Sequence, residues 1–129
     1  MLNLNSMMVG TMQPDIMSAF YEKVFDKKPD MKDGGWSGWS VGASFFSVGH
    51  HSKMEGQAKD PGRVMFNLET KDVKGEFDRI KGIEGATVIK ESYGLTEDGE
   101  SSSDPEAMWI ATFADPDGNY FQLMSPWKE

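Results

Sequence analysis

Without cysteine, the chain has no thiolate nucleophile, no sulfur-ligated zinc and no disulfide. Its two histidines, His50 and His51, are adjacent, so on a strand they point to opposite faces and do not chelate one ion together. Either both are surface imidazoles at a strand end, or one reaches a pocket mouth as an acid or base. Glu55 is a candidate carboxylate beside them, or plain loop surface. Two histidines and no nucleophile elbow make no Ser-His-Asp arrangement. "GGWSG" lacks the lysine and the strand–helix setting of a phosphate loop. That leaves Gln122, set between Phe121 and Leu123 in "TFADPDGNYFQLMSP", residues 112–126. An amide there is a metal ligand, a hydrogen-bonding group for a ligand, or an ordinary half-buried side chain.

The elements around it are legible. Leu2 to Val9 alternate as a strand. Pro14 suits a first helical turn, and Ile16, Phe20 and Val24 recur at four-residue intervals along "PDIMSAFYEKVF", predicting a helix over 15–25. "KKPDMKDGG" connects it to two aromatic strands, "WSGWSVG" and "ASFFSVGHH". After a polar connection at 52–62 the cycle repeats. "RVMFNLET" is a strand, and Asp72 caps a helix over 72–82 striped by Val73, Phe77 and Ile80. "GATVIKESY", "AMWIATFAD" and "YFQLMSP" are strands. The order is β-α-β-β-(β) twice, an α+β fold with eight strands and one domain built from modules at about 1–52 and 62–129. "YGLTEDGESSSDPEA" breaks the repeat. It reads as a solvated loop by composition, or as a lid by its place on a rigid sheet.

Composition narrows the partners. With 38% hydrophobic and 26% charged residues the chain is globular, and its net charge of −8 opposes nucleic acid and anionic lipid. "MLNLNSMMVGT" has no basic n-region and is too short to span a bilayer, so no membrane and a cytoplasmic location are expected.

The turn "DPDGN" has a mechanism: Pro116 presets a type I turn, Asp117 fills its second position, and Gly118 takes the left-handed position after it. With Phe113 two residues before, Gln122 three after Asn119, "FYEKVF" on the first helix, and the duplication, the sequence resembles the vicinal oxygen chelate superfamily. That group includes glyoxalase I, bleomycin-resistance proteins, fosfomycin-resistance enzymes and extradiol dioxygenases. The resemblance runs from about Leu4 to Pro126. It implies two βαβββ modules whose curved sheets enclose a pocket. In enzymatic members the pocket holds a divalent metal on His, Glu or Gln.

The family spacing places the four metal positions at Ser6 (or neighbouring Leu4 or Met8), Ser47, Met65 and Gln122. A thioether and two neutral hydroxyls are poor donors for a hard ion. The expectation is therefore a pocket without a metal or other cofactor. Alternation gives Gln122 a face shared with Tyr120, Met124, Thr112 and Ile110, while Phe113, Phe121, Ala111 and Leu123 take the other.

Met65, Met108 and Met124, with Trp36, Trp39 and Trp109, are either a soft wall for a flat ligand or core. The candidate ligand-binding residues are Gln122, Ser47, Ser6, Met65 and Thr112, together with Met124, Tyr120, Trp39 and His50. Two function classes follow. One is a protein that binds a small aromatic or amphipathic molecule. The other is an enzyme, either a lyase or dioxygenase with displaced metal ligands or one using acid–base groups alone. The resemblance also implies a homodimer, with Trp36 and Trp39 of "GGWSGWS" as candidate contacts.

Overall fold

The computed structural model describes residues 1–127, and the chain divides into two compact units, Met1–Gln57 and one that begins at Ala58. The first holds β1 (Ser6–Thr11), α1 (Pro14–Phe25), β2 (Met31–Asp33), β3 (Trp36–Val41) and β4 (Ser44–His50). Its sheet runs β1-β4-β3-β2, with β1 parallel to β4 and the other pairs antiparallel. Strand β1 starts later than the alternation suggested, and Leu2 and Leu4 are exposed. The connection "KKPDMKDGG" contributes a short edge strand, β2.

Helix α1 begins with Pro14, whose missing N–H costs nothing in a first turn. It ends where Asp26 turns left-handed at φ 54° and donates its N–H to Glu22 O. Its buried stripe is Met17, Phe20, Tyr21 and Val24, and Ile16 is 55% exposed. The correction is geometric. Steps of four residues overshoot a full turn by about 40°, so only the mixed three-and-four spacing stays on one face. Tyr21 meets the Phe46 ring at 4.7 Å and Phe25 meets Trp39 at 5.6 Å. Trp39 is fully buried there, its indole N–H donating to Lys27 O (3.0 Å).

The second unit holds β5 (Phe66–Glu69), α2 (Val73–Lys81), β6 (Thr87–Leu95), β7 (Ser101–Ser102), β8 (Met108–Ala114) and β9 (Tyr120–Met124). Its sheet runs β5-β9-β8-β6-β7, with β5 parallel to β9. Asp72 caps α2 as expected, Oδ1 accepting from Gly75 N–H (3.0 Å), and Val73, Phe77 and Ile80 are buried. A run of stacked rings forms the core: Phe66–Phe121 at 5.5 Å, Phe121–Phe113 at 5.7 Å and Phe113–Phe77 at 5.2 Å. Strand β5 is shorter than "RVMFNLET" suggested. Nine strands form among the described residues rather than eight, because Ser101 and Ser102 of the acidic segment pair with Leu95 and Gly94. No helix among the described residues is long and apolar enough to cross a membrane.

Candidate functional site

The hairpin that carries Gln122 is locked at its tip. Gly118 N–H donates to Asp115 O (2.8 Å) and Gly118 takes φ 85°, the turn that "DPDGN" specifies. Sequence reading missed the role of Asp115. Its carboxylate is buried and accepts from Asp117 N–H (2.9 Å), Asn119 N–H (3.0 Å) and the Asn119 side-chain amide (3.0 Å). This local knot fixes the β8–β9 register, which places Gln122 opposite Thr112.

The ladder continues on both sides. Asn67 pairs with Gln122 across β5–β9, and Lys90 pairs with Thr112 across β6–β8. Cross-strand partners share a face, so Asn67, Gln122 and Thr112 make one polar row on the side away from α2, and Lys90 meets its end where β6 is irregular on both sides of the pair. The next row is Met124, Ile110 and Tyr93, and Tyr120 lies on the other side of the polar one. Gln122 Nε2 donates to Thr112 Oγ1 at 3.1 Å. Gln122 is half-buried, while Thr112 and Met124 are buried. Of the expected residues, then, Gln122, Thr112, Tyr120 and Met124 share one face. Met65 stands just ahead of β5 and is exposed.

In the first unit the expected set divides. Ser47 lies on the face away from α1 and is buried, with Met8 on one side and Gly38 on the other in register. Trp36 and Phe45 stack at 6.0 Å on that face, and a Cβ on Gly38 would run into the Phe45 ring. Ser6 is exposed at the start of β1, paired with Phe45. His50 alternates to the opposite side from Ser47, its Cβ close to Gly35 and its backbone N–H donating to Gly35 O (3.0 Å). Trp39 is held in the core under α1 and is excluded from Ser47's face. Trp39 therefore drops out of the expected ligand-binding residues and of the candidate contacts, because only half-buried Trp36 reaches that side.

The donors do not fit a hard divalent ion. Met8, not Ser6, stands opposite Ser47, and Asn67, not Met65, stands opposite Gln122. The face positions in these two pairs offer a thioether, a hydroxyl and two neutral amides, with no imidazole and no carboxylate. Among the described residues no three His, Cys, Asp or Glu side chains converge.

The acidic segment is tied to its own sheet edge. The Trp109 indole N–H donates to Asp104 O (3.0 Å), and Lys74 Nζ lies 4.1 Å over the same ring. Beside it an open cleft of about 370 Å³ is lined by Tyr93, Gly94, Ser101–Ser103 and Trp109.

No family model matches the sequence, and no curated protein does. Solved structures do match. A glyoxalase-related enzyme from Fulvimarina pelagi superposes with a TM-score of 0.73 at 12% identity, over 98% of this chain and 89% of its own. A glyoxalase/bleomycin resistance protein/dioxygenase family enzyme from Burkholderia phytofirmans PsJN gives 0.68 at 22%, over 96% and 98%. A glyoxalase/bleomycin resistance protein from Catenulispora acidiphila gives 0.65 at 16%, over 97% and 100%. The chain has the glyoxalase/bleomycin-resistance fold.

Within this glyoxalase-like fold, sequence reading missed Asn67, Lys90 and Tyr93 on the second sheet. Only strand pairing brings them beside Gln122. The detectable signal was the period-two spacing of Met65, Asn67 and Glu69, which gives all three one face in "MFNLE".

Proposed function

We propose that the protein binds a small amphipathic organic molecule on the Gln122 face of the second sheet, without a hard divalent ion. The Gln122–Thr112 hydrogen bond carries this reading. It uses one amide proton and fixes the side chain, so Gln122 Oε1 and the second N–H are aimed rather than free to rotate. Thr112 accepts from Gln122 and keeps its O–H to donate. Lys90 adds a cation at one end of the row, and Met124, Ile110 and Tyr93 supply an adjacent apolar strip. Such neutral hydrogen bonds are worth about 0.5–1.5 kcal/mol each, so affinity comes mainly from apolar burial and orientation from the row.

Calorimetry against a panel of planar heterocycles and amphipathic acids, with and without EDTA, tests it. Binding that survives EDTA and weakens in Gln122→Ala supports it. A lyase or dioxygenase activity that EDTA abolishes, in protein purified with one equivalent of Ni, Zn, Fe or Mn, overturns it in favour of the enzyme reading.

A cytoplasmic homodimer belongs to the same reading, with Trp36 and not Trp39 at the contact. Sedimentation showing only monomer at micromolar concentration removes that part.

A further inference from the structure

The first unit carries a second group of donor side chains, apart from the polar row. Gly10 and Gly49 are partners in the β1–β4 ladder, and Trp36 is the partner of Gly49 in β3–β4. Neither glycine fills the space above it. A Cβ on Gly10 would stand 3.2 Å from Met54 Cγ and 3.4 Å from His51 Cβ. One on Gly49 would stand 3.2 Å from Trp36 Cδ1 and 3.5 Å from Met8 Sδ. Neighbouring strands are about 4.8 Å apart, so two thioethers, an imidazole and an indole gather over a single strand spacing.

The turn that delivers two of them is ordered by its own hydrogen bonds. His51 N–H donates to Thr11 O (2.8 Å), Met54 N–H to His51 O (3.1 Å), and Lys53 N–H to His51 Nδ1 (3.2 Å). Met8 and Met54 are 63% and 47% exposed, so neither is spent on core packing and both are open to solvent.

Thioether sulfur is a soft, neutral donor that favours Cu(I)-type ions over Mg²⁺, Ca²⁺ or Mn²⁺. Neutral donors leave the charge on the ion, and an indole beside it adds an attraction of the cation–π kind. We infer that Met8, Met54 and His51, beside Trp36, form a site for a soft monovalent cation, Cu(I) or its redox-inert counterpart Ag(I). His51 joins when its Nδ1 lone pair leaves the Lys53 N–H for the ion, or through Nε2 after the ring proton moves to Nδ1. No oxidation or reduction is involved. The site shares no residue with the Gln122 row, so either assignment can fail alone.

The test titrates silver nitrate into the full chain in chloride-free buffer, following tryptophan fluorescence and ion stoichiometry by native mass spectrometry. The comparisons are Met8→Leu/Met54→Leu and, as a control, Met31→Leu. Met31 lies on the same face, opposite Gly38, and is likewise exposed. Leucine conserves volume, and far-ultraviolet dichroism checks folding. One Ag(I) per chain is expected, with affinity at least tenfold weaker in the double variant and unchanged in Met31→Leu. Cu(I) held reduced by ascorbate should follow the same order. Equal binding by wild type and double variant overturns the inference, as does an equal loss in Met31→Leu, which would mean general capture by surface thioethers. If the double variant does not fold, methionine methyl resonances of the wild type decide. Shifts at Met8 and Met54 but not at Met31 support the site, and uniform or absent shifts overturn it.

Discussion

Asn67 stands directly opposite Gln122 in the second unit, as Met8 stands opposite Ser47 in the first. The two modules thus repeat one position pair on parallel edge strands while differing in chemistry. The second module offers two amides, and the first a thioether and a hydroxyl. The contrast bears on each assignment above.

Thr112→Val should disorder Gln122 more than it destabilises the fold. The valine removes the acceptor that holds Nε2, and a half-buried amide can turn to water. Ligand affinity should fall by about as much as in Gln122→Ala, roughly one hydrogen bond's worth of 0.5–1.5 kcal/mol. Calorimetry on both variants and the double variant measures the coupling. Full additivity would mean that the two side chains do not act together.

Removing the Asp115 carboxylate should cost more than any single change in the polar row. It is 2% exposed and accepts from two backbone N–H groups and one amide, and hydrogen bonds to a charged group are worth about 1.5–3 kcal/mol. Asp115→Ala should lose about 2–4 kcal/mol in urea melts, with Asp115→Asn between it and the wild type. A loss below about 0.5 kcal/mol would be that of an ordinary surface change and would contradict the knot.

The helix correction is measurable. Met17→Ala should cost about 2–5 kcal/mol through lost burial and a cavity, since Met17 is wholly buried. Ile16→Ala, at an exposed position, should stay within about 0.5 kcal/mol. Comparable losses would return Ile16 to the core face.

Acid stability should carry a contribution from Asp30. The Ser40 backbone N–H (2.7 Å), and then Lys27 (3.0 Å), hold its carboxyl below the ordinary 3.8. A lowered folded value means the unfolded chain binds the proton first. The contribution is therefore complete above about pH 4–5 and is lost as pH falls through the folded value. Asp30→Asn should flatten that part of the stability–pH curve and leave its slope near pH 7 unchanged. A wild-type slope retained in the variant would rule Asp30 out.

Much of this was readable in the chain because the deciding interactions are local. The Asp72 cap, the 73–77–80 stripe, the "DPDGN" turn and the two faces of the final hairpin all depend on residues within a few positions of each other. What failed to show depends on distant partners. Strands β2 and β7 are two or three residues long and exist only because a neighbouring strand offers free N–H and C=O groups. Counting back from the helices found Ser6, with Leu4 or Met8 as neighbouring alternatives, and Met65. The residues that face Ser47 and Gln122 are two positions further on, because parallel register is set by pairing across a whole module. Trp39 stayed open between core, ligand wall and surface contact because nothing in "GGWSGWS" says which tryptophan lies under a helix.

The Asp115 knot also has a bearing on the order in which the molecule assembles. Tyr120 and Ala114 meet after a chain separation of only six residues, whereas Asn67 and Gln122 must close a loop of 55. Closing the longer loop costs more entropy and comes with slower contacts, while hairpins form on the microsecond scale. Thr112 and Gln122 should thus come together early, before strand β5 arrives. A one-residue slip would turn every side chain of β9 over, and the turn forestalls it from the start. In a rate-based mutational analysis, changes at Asp115 should slow folding, and changes at Asn67 should mainly hasten unfolding.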